Sequence, residues 1–282
     1  MNWNQLQKRI EAALSSITMN ARMESYQWLS DAWNQEPNES EVEQEILSKA
    51  EQYIARRLNG EPWPYIIGFS WFMDKKFFCH QDAMIPRDNT KVVVEEALKI
   101  FNSEKNIRVA DIGTGCGNIA ITLALRTKWK LYGIDMSGQA LKVAEKNCDF
   151  HKVDVELMCG NCLSPLVRVP DMIVANMPYV DEKRKIEFES KNIKEMSHID
   201  NFLTNEPKMS VYAPEGGNFW VKSLLKQSYE WKVPVLIQQI NNNPQEMLEY
   251  AKELGWYSGW FTHHGSNPAL ITIRDADFNG DL

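Results

Sequence analysis

Asn176, Met177, Pro178 and Tyr179 follow the apolar run Met172-Ile173-Val174-Ala175, which reads as a buried strand, so an Asn and a Tyr stand at a strand's end. That pairing suits a flat amide or amine. The nitrogen of a carboxamide, or of an exocyclic base amine, is a poor nucleophile because its lone pair is delocalised into the neighbouring π system. It needs positioning more than a strong base. An Asn side-chain oxygen and a main-chain carbonyl can each accept one N–H hydrogen bond, which aims the nitrogen and stabilises the charge it gains as it attacks. A Tyr ring can stack on the planar group. The same four residues also suit an ordinary turn, since Asn and Pro are common turn formers.

Upstream, Asp111-Ile112-Gly113-Thr114-Gly115-Cys116-Gly117 ends an expected strand and opens a helix. Glycines at alternate positions let the backbone turn sharply and leave no side chain between it and a ligand. The spacing differs from the dinucleotide fingerprint, in which the third glycine comes one residue later. Asp111 precedes the glycines and Asp135 ends the next strand; a carboxylate there can accept both hydroxyls of a ribose. Asp135 equally suits capping of the helix that follows it. Taken in order with Asn176 to Tyr179, the glycine turn and Asp135 match a class I S-adenosylmethionine-dependent methyltransferase. Cys159 and Cys162 have metal or redox spacing, but no second Cys or His pair lies at finger-like spacing, and His263-His264 is distant. No metal site is expected.

The elements that must position these residues follow from periodicity. From Ile107 onward, short apolar strands alternate with helical segments, the pattern of a mostly parallel sheet covered on both faces. Strands are expected at Arg108–Ile112, Lys130–Ile134, Val155–Met158, Met172–Ala175, Val233–Ile240 and Ala269–Arg274. Helices are expected at Asn118–Arg126, Ser137–Asp149, Asn218–Trp231 and Pro244–Leu254. The charged stretch Asp181–Asp200 reads as a loop or short helix over the strand ends. The first sixty residues read as helices: Leu6, Ile10, Ala13, Leu14 and Ile17 recur at helical spacing, as do Met19, Met23, Tyr26 and Trp33. A third helix carries Val42, Ile46, Ala50, Tyr53 and Ile54, with Ser40 and Glu43 as a capping box and Asn59-Gly60 as its stop. Trp63–Ile85 is aromatic and β-prone, a hairpin or extended connector whose rings either join the core or floor a groove. The fold class expected from this pattern is α/β with a mostly parallel sheet, and the likeness to class I methyltransferases implies a Rossmann-like methyltransferase domain with seven strands over 107–282. A helical domain covers 1–75 and a connector 76–106.

The 282 residues are 44% hydrophobic, ample for a packed core, and a net charge of -7 argues against broad affinity for nucleic acid. Five cysteines without a repeating framework fit reduced thiols. The start lacks a basic region followed by an apolar core, and no stretch has the length of a membrane span, so a cytoplasmic protein is expected.

Nearly the whole chain resembles the release-factor glutamine methyltransferases of the HemK type. The resemblance rests on the helical N-terminal region, Gly60-Glu61-Pro62 with Tyr65 and Gly68, Ile85-Pro86-Arg87, the glycine turn, Asn176 to Tyr179, and Glu206-Pro207. It implies methyl transfer from S-adenosyl-L-methionine to the side-chain nitrogen of the Gln in the Gly-Gly-Gln motif of peptide chain release factors. It further implies that the N-terminal domain helps to recognise that substrate. On the same ground, Gly113, Thr114, Gly115, Cys116 and Gly117 hold the cofactor's methionine part and Asp135 its ribose, Asp111 is also cofactor-binding, and Cys162 stands where the family has a cofactor-contacting Trp. Asn176, Met177, Pro178 and Tyr179 grip the Gln, with Asn176 also beside the cofactor. This chain departs from the family at Met177, where Asn-Pro-Pro-Tyr is usual, at Lys91, where an acid is usual, and at Gln238-Gln239-Ile240-Asn241, which replaces a Leu-Glu-x-Gly-like run. The expectation is a monomer acting on release factors, with no stable nucleic-acid or membrane association. Methylation of exocyclic amines in nucleic acid, methylation of a different Gln-bearing ribosomal protein, and a degenerate methyltransferase that only binds a partner are the alternatives.

Overall fold

The computed structural model describes residues 1–101, 103, 106–190, 198–238, 244–262 and 268–273. His263-His264, Gln239-Ile240-Asn241 and Arg274 lie outside them. The chain divides into two compact units, Met1–Phe69 with Lys185–Asn205, and Ser70–Arg184 with Glu206–Leu282.

The first unit opens with α1 (Trp3–Leu14), α2 (Ala21–Trp33), α3 (Gln44–Leu58) and α4 (Trp63–Ile67). Trp3, Leu6, Ile10 and Leu14, spaced three and four apart, form the buried stripe of α1. A capping box does occur here, but between Asn2 and Gln5, each side chain accepting the other's backbone N–H. The expected box at Ser40 and Glu43 is absent: α3 starts at Gln44 and the Ser40 hydroxyl donates to Asn38 instead. The cause is that this stretch is committed to α1, whose Trp3 and Asn4 N–H groups donate to the Ser40 and Asn38 carbonyls. The apolar face expected on α2 is also displaced. Met19, Met23 and Tyr26 are exposed, and α2 buries Ala21, Glu24, Ser25, Trp28 and Leu29. A buried ion pair sets that rotation: the Arg57 guanidinium of α3 donates to both Glu24 oxygens at 2.9 and 3.3 Å and to the Glu61 carbonyl.

A hairpin follows at the unit boundary, β1 (Phe69–Phe72) and β2 (Lys75–Phe78), turning at Met73 and Asp74, both at positive φ as a tight hairpin turn requires. Phe72 and Phe77 are core residues, while Trp71 is exposed. Asn147, fully buried, clamps β2 by accepting from the Phe78 N–H and donating to the Phe78 carbonyl. Then come α5 (Lys91–Ile100), β3 (Arg108–Ile112), α6 (Asn118–Ala124), β4 (Lys130–Asp135), α7 (Gly138–His151), β5 (Val155–Cys159), β6 (Met172–Asn176) and the short β7 (Val180–Asp181). The charged stretch forms α8 (Glu182–Ser190) and, in the first unit, α9 (His198–Asn205). The remainder is α10 (Lys208–Val211), β8 (Tyr212–Ala213), α11 (Phe219–Trp231), β9 (Val235–Gln238), α12 (Pro244–Glu253), β10 (Tyr257–Thr262) and β11 (Pro268–Ile273).

Seven strands form one sheet in the order β10-β11-β9-β6-β3-β4-β5. Neighbours from β9 to β5 run parallel; β11 is antiparallel to both β9 and β10. This is the expected fold class. Alternation separates two apolar layers. Met172 and Val174 join Val109, Leu131 and Leu236 on the side of α5 and α6. Ile173 and Ala175 join Ala110, Ile134, Val235 and Ile237 on the side of α11 and α12. Because the five central strands are parallel, their carboxyl ends share one edge, where open α/β sheets bind ligands. Asp135, Asn176 and Gln238 are the last residues of β4, β6 and β9.

Replacing Glu24 alone with Ala leaves Arg57 buried without its carboxylate, and should destabilise the chain by about 3–5 kcal/mol in urea unfolding.

Candidate active site

The glycine turn takes its shape from the two carboxylates that flank it. Gly113, Gly115 and Gly117 all adopt positive φ, at 72°, 56° and 84°. The Gly113 and Thr114 N–H groups donate to the Ile134 carbonyl, at 2.8 and 3.0 Å, and the Gly115 N–H to Asp135 Oδ2 at 2.9 Å. From below, Asp111 Oδ2 accepts from the Thr114 hydroxyl at 2.7 Å and from the Ala120 N–H at 3.2 Å. A Cβ on Gly117 would stand 2.8 Å from the Ile121 side chain of α6 and 3.3 Å from Ala144 of α7, so the two helices pack close here because that position is bare.

Asp111 is fully buried, and among the described residues its Oδ1 has no partner. Burial pushes its carboxyl up to about 7, against the pull of Thr114 and Ala120. Asp135 also accepts from the Ser137 N–H at 2.8 Å, and burial raises its carboxyl while the backbone N–H groups oppose the rise. Two neutral thiols border the turn: burial pushes Cys116 up to about 12 and Cys162 to about 11. Cys162 is held at positive φ. Cys159 points elsewhere, its thiol exposed near the Met136 carbonyl. Among the described residues no group of three or more His, Cys, Asp or Glu side chains could hold a metal ion. None of the described helices is long and apolar enough to cross a membrane.

Asn176 ends β6 with its side chain anchored at one end. Its Nδ2 donates to the Thr90 hydroxyl at 3.0 Å, and among the described residues its Oδ1 accepts nothing. Met177 is buried in the apolar layer of Ala175, Cys162 and Leu163, with its sulfur 3.4 Å from where a Cβ on Gly113 would lie. The residue before a proline avoids the helical region, so Pro178 confines Met177 to extended conformations. Downstream, β7 pairs with β8 and Gly217 lies hard against the Tyr179 carbonyl; a Cβ there would sit 2.0 Å from that oxygen. Burial raises the Tyr179 hydroxyl, Arg87 opposes the rise and Glu206 adds to it.

Glu206 closes the arrangement. Its carboxylate is buried and accepts from the Ile85 N–H at 2.9 Å and from Arg87 at 2.5 Å. Burial raises its carboxyl, with Arg87 the main opposing influence. This pair joins the segment after Asp82-Ala83-Met84 to the segment Pro207-Lys208-Met209-Ser210, two walls of one cavity of about 330 Å³. Gly113, Thr114, Gly115, Cys116, Asp135, Cys162, Asn176, Met177 and Pro178 line it. Asp111, Gly117 and Tyr179 do not: Asp111 lies beneath the turn, where it can shape the backbone but cannot reach a ligand hydroxyl. The volume suits a small organic ligand. Bare glycine backbone on one wall, spare lone pairs on Asp135 and apolar Met and Cys side chains fit a nucleoside joined to an amino acid. Sequence reading assigned no role to Thr90, Glu206, Gly217 or Trp220, which also lines the cavity. Glu206-Pro207 and Ile85-Pro86-Arg87 were visible as motifs, whereas Pro214-Glu215-Gly216-Gly217, a run of turn-forming residues, could have pointed to Gly217.

The methyltransferase small domain family matches residues 87–207. The release factor glutamine methyltransferase of Koribacter versatilis is 33% identical over 199 residues, which are 70% of this chain and 68% of that protein. That of Buchnera aphidicola is 31% identical, covering 63% and 61% of the two chains, and that of Enterococcus faecalis 30% identical, covering 67% and 65%. The match thus spans under two thirds of the length of the latter two relatives. Among solved structures, the hMettl16 catalytic domain in complex with MAT2A 3'UTR hairpin 1 superposes with a TM-score of 0.58 at 13% identity, over 98% of this chain and 92% of that one. This is a likeness of fold.

Two consequences can be measured. Between the ordinary 3.8 of a free Asp and about 7, folded Asp111 holds a proton that the unfolded chain has released, so it makes stability fall as pH rises across that window. Thermal melts should show a shallower decline of Tm between pH 5 and pH 7 for Asp111→Asn than for the wild type. Gly216 and Gly217 should respond differently to Ala, since a Cβ at Gly216 meets nothing within 4 Å whereas one at Gly217 strikes the Tyr179 carbonyl. We expect a loss of about 1 kcal/mol at Gly216 from positive φ alone, and of roughly 3 kcal/mol or more at Gly217, by urea unfolding.

Proposed function

The chain belongs to the release factor glutamine methyltransferase family, and from that premise we propose that it methylates the side-chain amide nitrogen of a protein glutamine, that of the Gly-Gly-Gln motif in peptide chain release factors. S-adenosyl-L-methionine, when bound, supplies the methyl group on a sulfonium. Gly113 to Cys116, Asp135 and Cys162 would hold it. The observation that carries this reading is the disposition of Asn176, which lines the cavity: its Nδ2 is engaged by Thr90, and among the described residues its Oδ1 is left as an acceptor without a donor.

In this reading, Asn176 Oδ1 and the Met177 carbonyl each accept one N–H of the glutamine amide. Two acceptors fix the nitrogen's direction and stabilise the positive charge that grows on it during attack. The proton leaves after methyl transfer, from a nitrogen made far more acidic, so no strong base is required. Met177 meets the demand for a fixed carbonyl through Pro178 behind it and the packing of its side chain. That favours a working enzyme over a degenerate binding protein. The net charge of -7 favours a protein substrate over nucleic acid.

Asn176→Ala should lower tritiated-methyl transfer to a purified release factor by about a hundredfold or more, while S-adenosylhomocysteine binding by calorimetry stays unchanged. Undiminished transfer by the variant removes Asn176 from its role. Excess total nucleic acid should not compete for label; if it does, an exocyclic amine is the substrate.

A further inference from the structure

We propose that Thr90 is a positioning residue for Asn176, acting through the side-chain amide; the proposal rests on the reading of Asn176 given above. Thr90 is 1% exposed, and its hydroxyl lies 3.0 Å from Asn176 Nδ2. It ends the 3-10 turn Asp88–Thr90 immediately before α5, and its N–H donates to the Arg87 carbonyl. Arg87 is in turn held by the buried carboxylate of Glu206. The hydroxyl therefore stands on a rigid support linked to the cavity wall.

The terminal torsion of an Asn side chain is broad and roughly two-fold, so packing alone does not fix an amide plane. A hydrogen bond at one end does. Gln238 is a polar neighbour of Asn176, paired with it in register on β9 and on the same face by alternation. It is fully buried, and among the described residues neither atom of its amide has a partner. Among the described residues, Thr90 is thus the side chain bonded to the Asn176 amide. Accepting from Nδ2 also draws electron density toward Oδ1, which makes that oxygen a better acceptor.

Replacing Thr90 with Val keeps the shape and removes the hydroxyl; Ser keeps the hydroxyl and removes a methyl. We expect Thr90→Val to lower kcat on a release factor about tenfold, a smaller loss than that of Asn176→Ala, with S-adenosylhomocysteine affinity unchanged. Thr90→Ser should retain at least about half of wild-type kcat even if its Tm falls, because the anchor survives. The proposal is overturned if Thr90→Val keeps full kcat while Asn176→Ala does not, if Ser falls as far as Val, or if Val weakens cofactor binding in proportion to turnover. Full activity of Asn176→Ala would instead sink the underlying reading of the site.

Discussion

Two buried or half-buried carboxylates on neighbouring strands hold the glycine turn between them, and the site depends on that clamp. Asp111 takes the Thr114 hydroxyl and the Ala120 N–H from beneath; Asp135 takes the Gly115 N–H from the side. The backbone they stabilise passes through three left-handed positions, which glycine adopts at little cost. From that shape follow the start of α6, the close packing of α6 on α7, and the clearance at Gly113 that Met177 fills. Burying a carboxylate with an unpartnered oxygen is expensive, and Asp111 answers by rising toward neutrality.

A second staple, Glu206 with Arg87 and the Ile85 N–H, sets the opposite wall and carries Thr90. The region after β6 is fixed by contacts of a third kind, the approach of Gly217 to the Tyr179 carbonyl and the β7–β8 pair. Asn176 and Met177 therefore sit between two rigid supports. At Met177 the backbone is constrained from outside the residue. Its side chain is packed, its neighbour is proline, and the carbonyl is held without a ring at the position itself.

Much of this was legible in the residues. The parallel sheet followed from short apolar strands spaced by helical segments, and the glycine turn and strand-end tetrapeptide were found at their places along one sheet edge. Several elements escaped, among them the helix α4 at the start of the stretch read as β-prone, and at α5 and β10 the local pattern misleads. Val92-Val93-Val94 looks β-prone, yet it lies in α5, where burial on both sides outweighs propensity. Tyr257–Thr262 forms β10 with little apolar alternation to announce it. On α2, Met19, Met23 and Tyr26 suggested an apolar face that the Glu24–Arg57 pair overrides, because a buried ion pair dictates rotation and leaves no hydrophobic signature. Thr90 could not be read as a partner of Asn176, since the hydrogen bond joins positions far apart in sequence and local spacing carries no trace of it.

The central claim is that this fold presents an acceptor pair to the amide of a glutamine. Its most direct test is mass spectrometry of release factors purified from cells with and without the gene for this chain. The Gly-Gly-Gln peptide should carry one methyl group on the glutamine in the first case and lose that mass in the second. An unchanged peptide mass in cells lacking the gene would contradict the account.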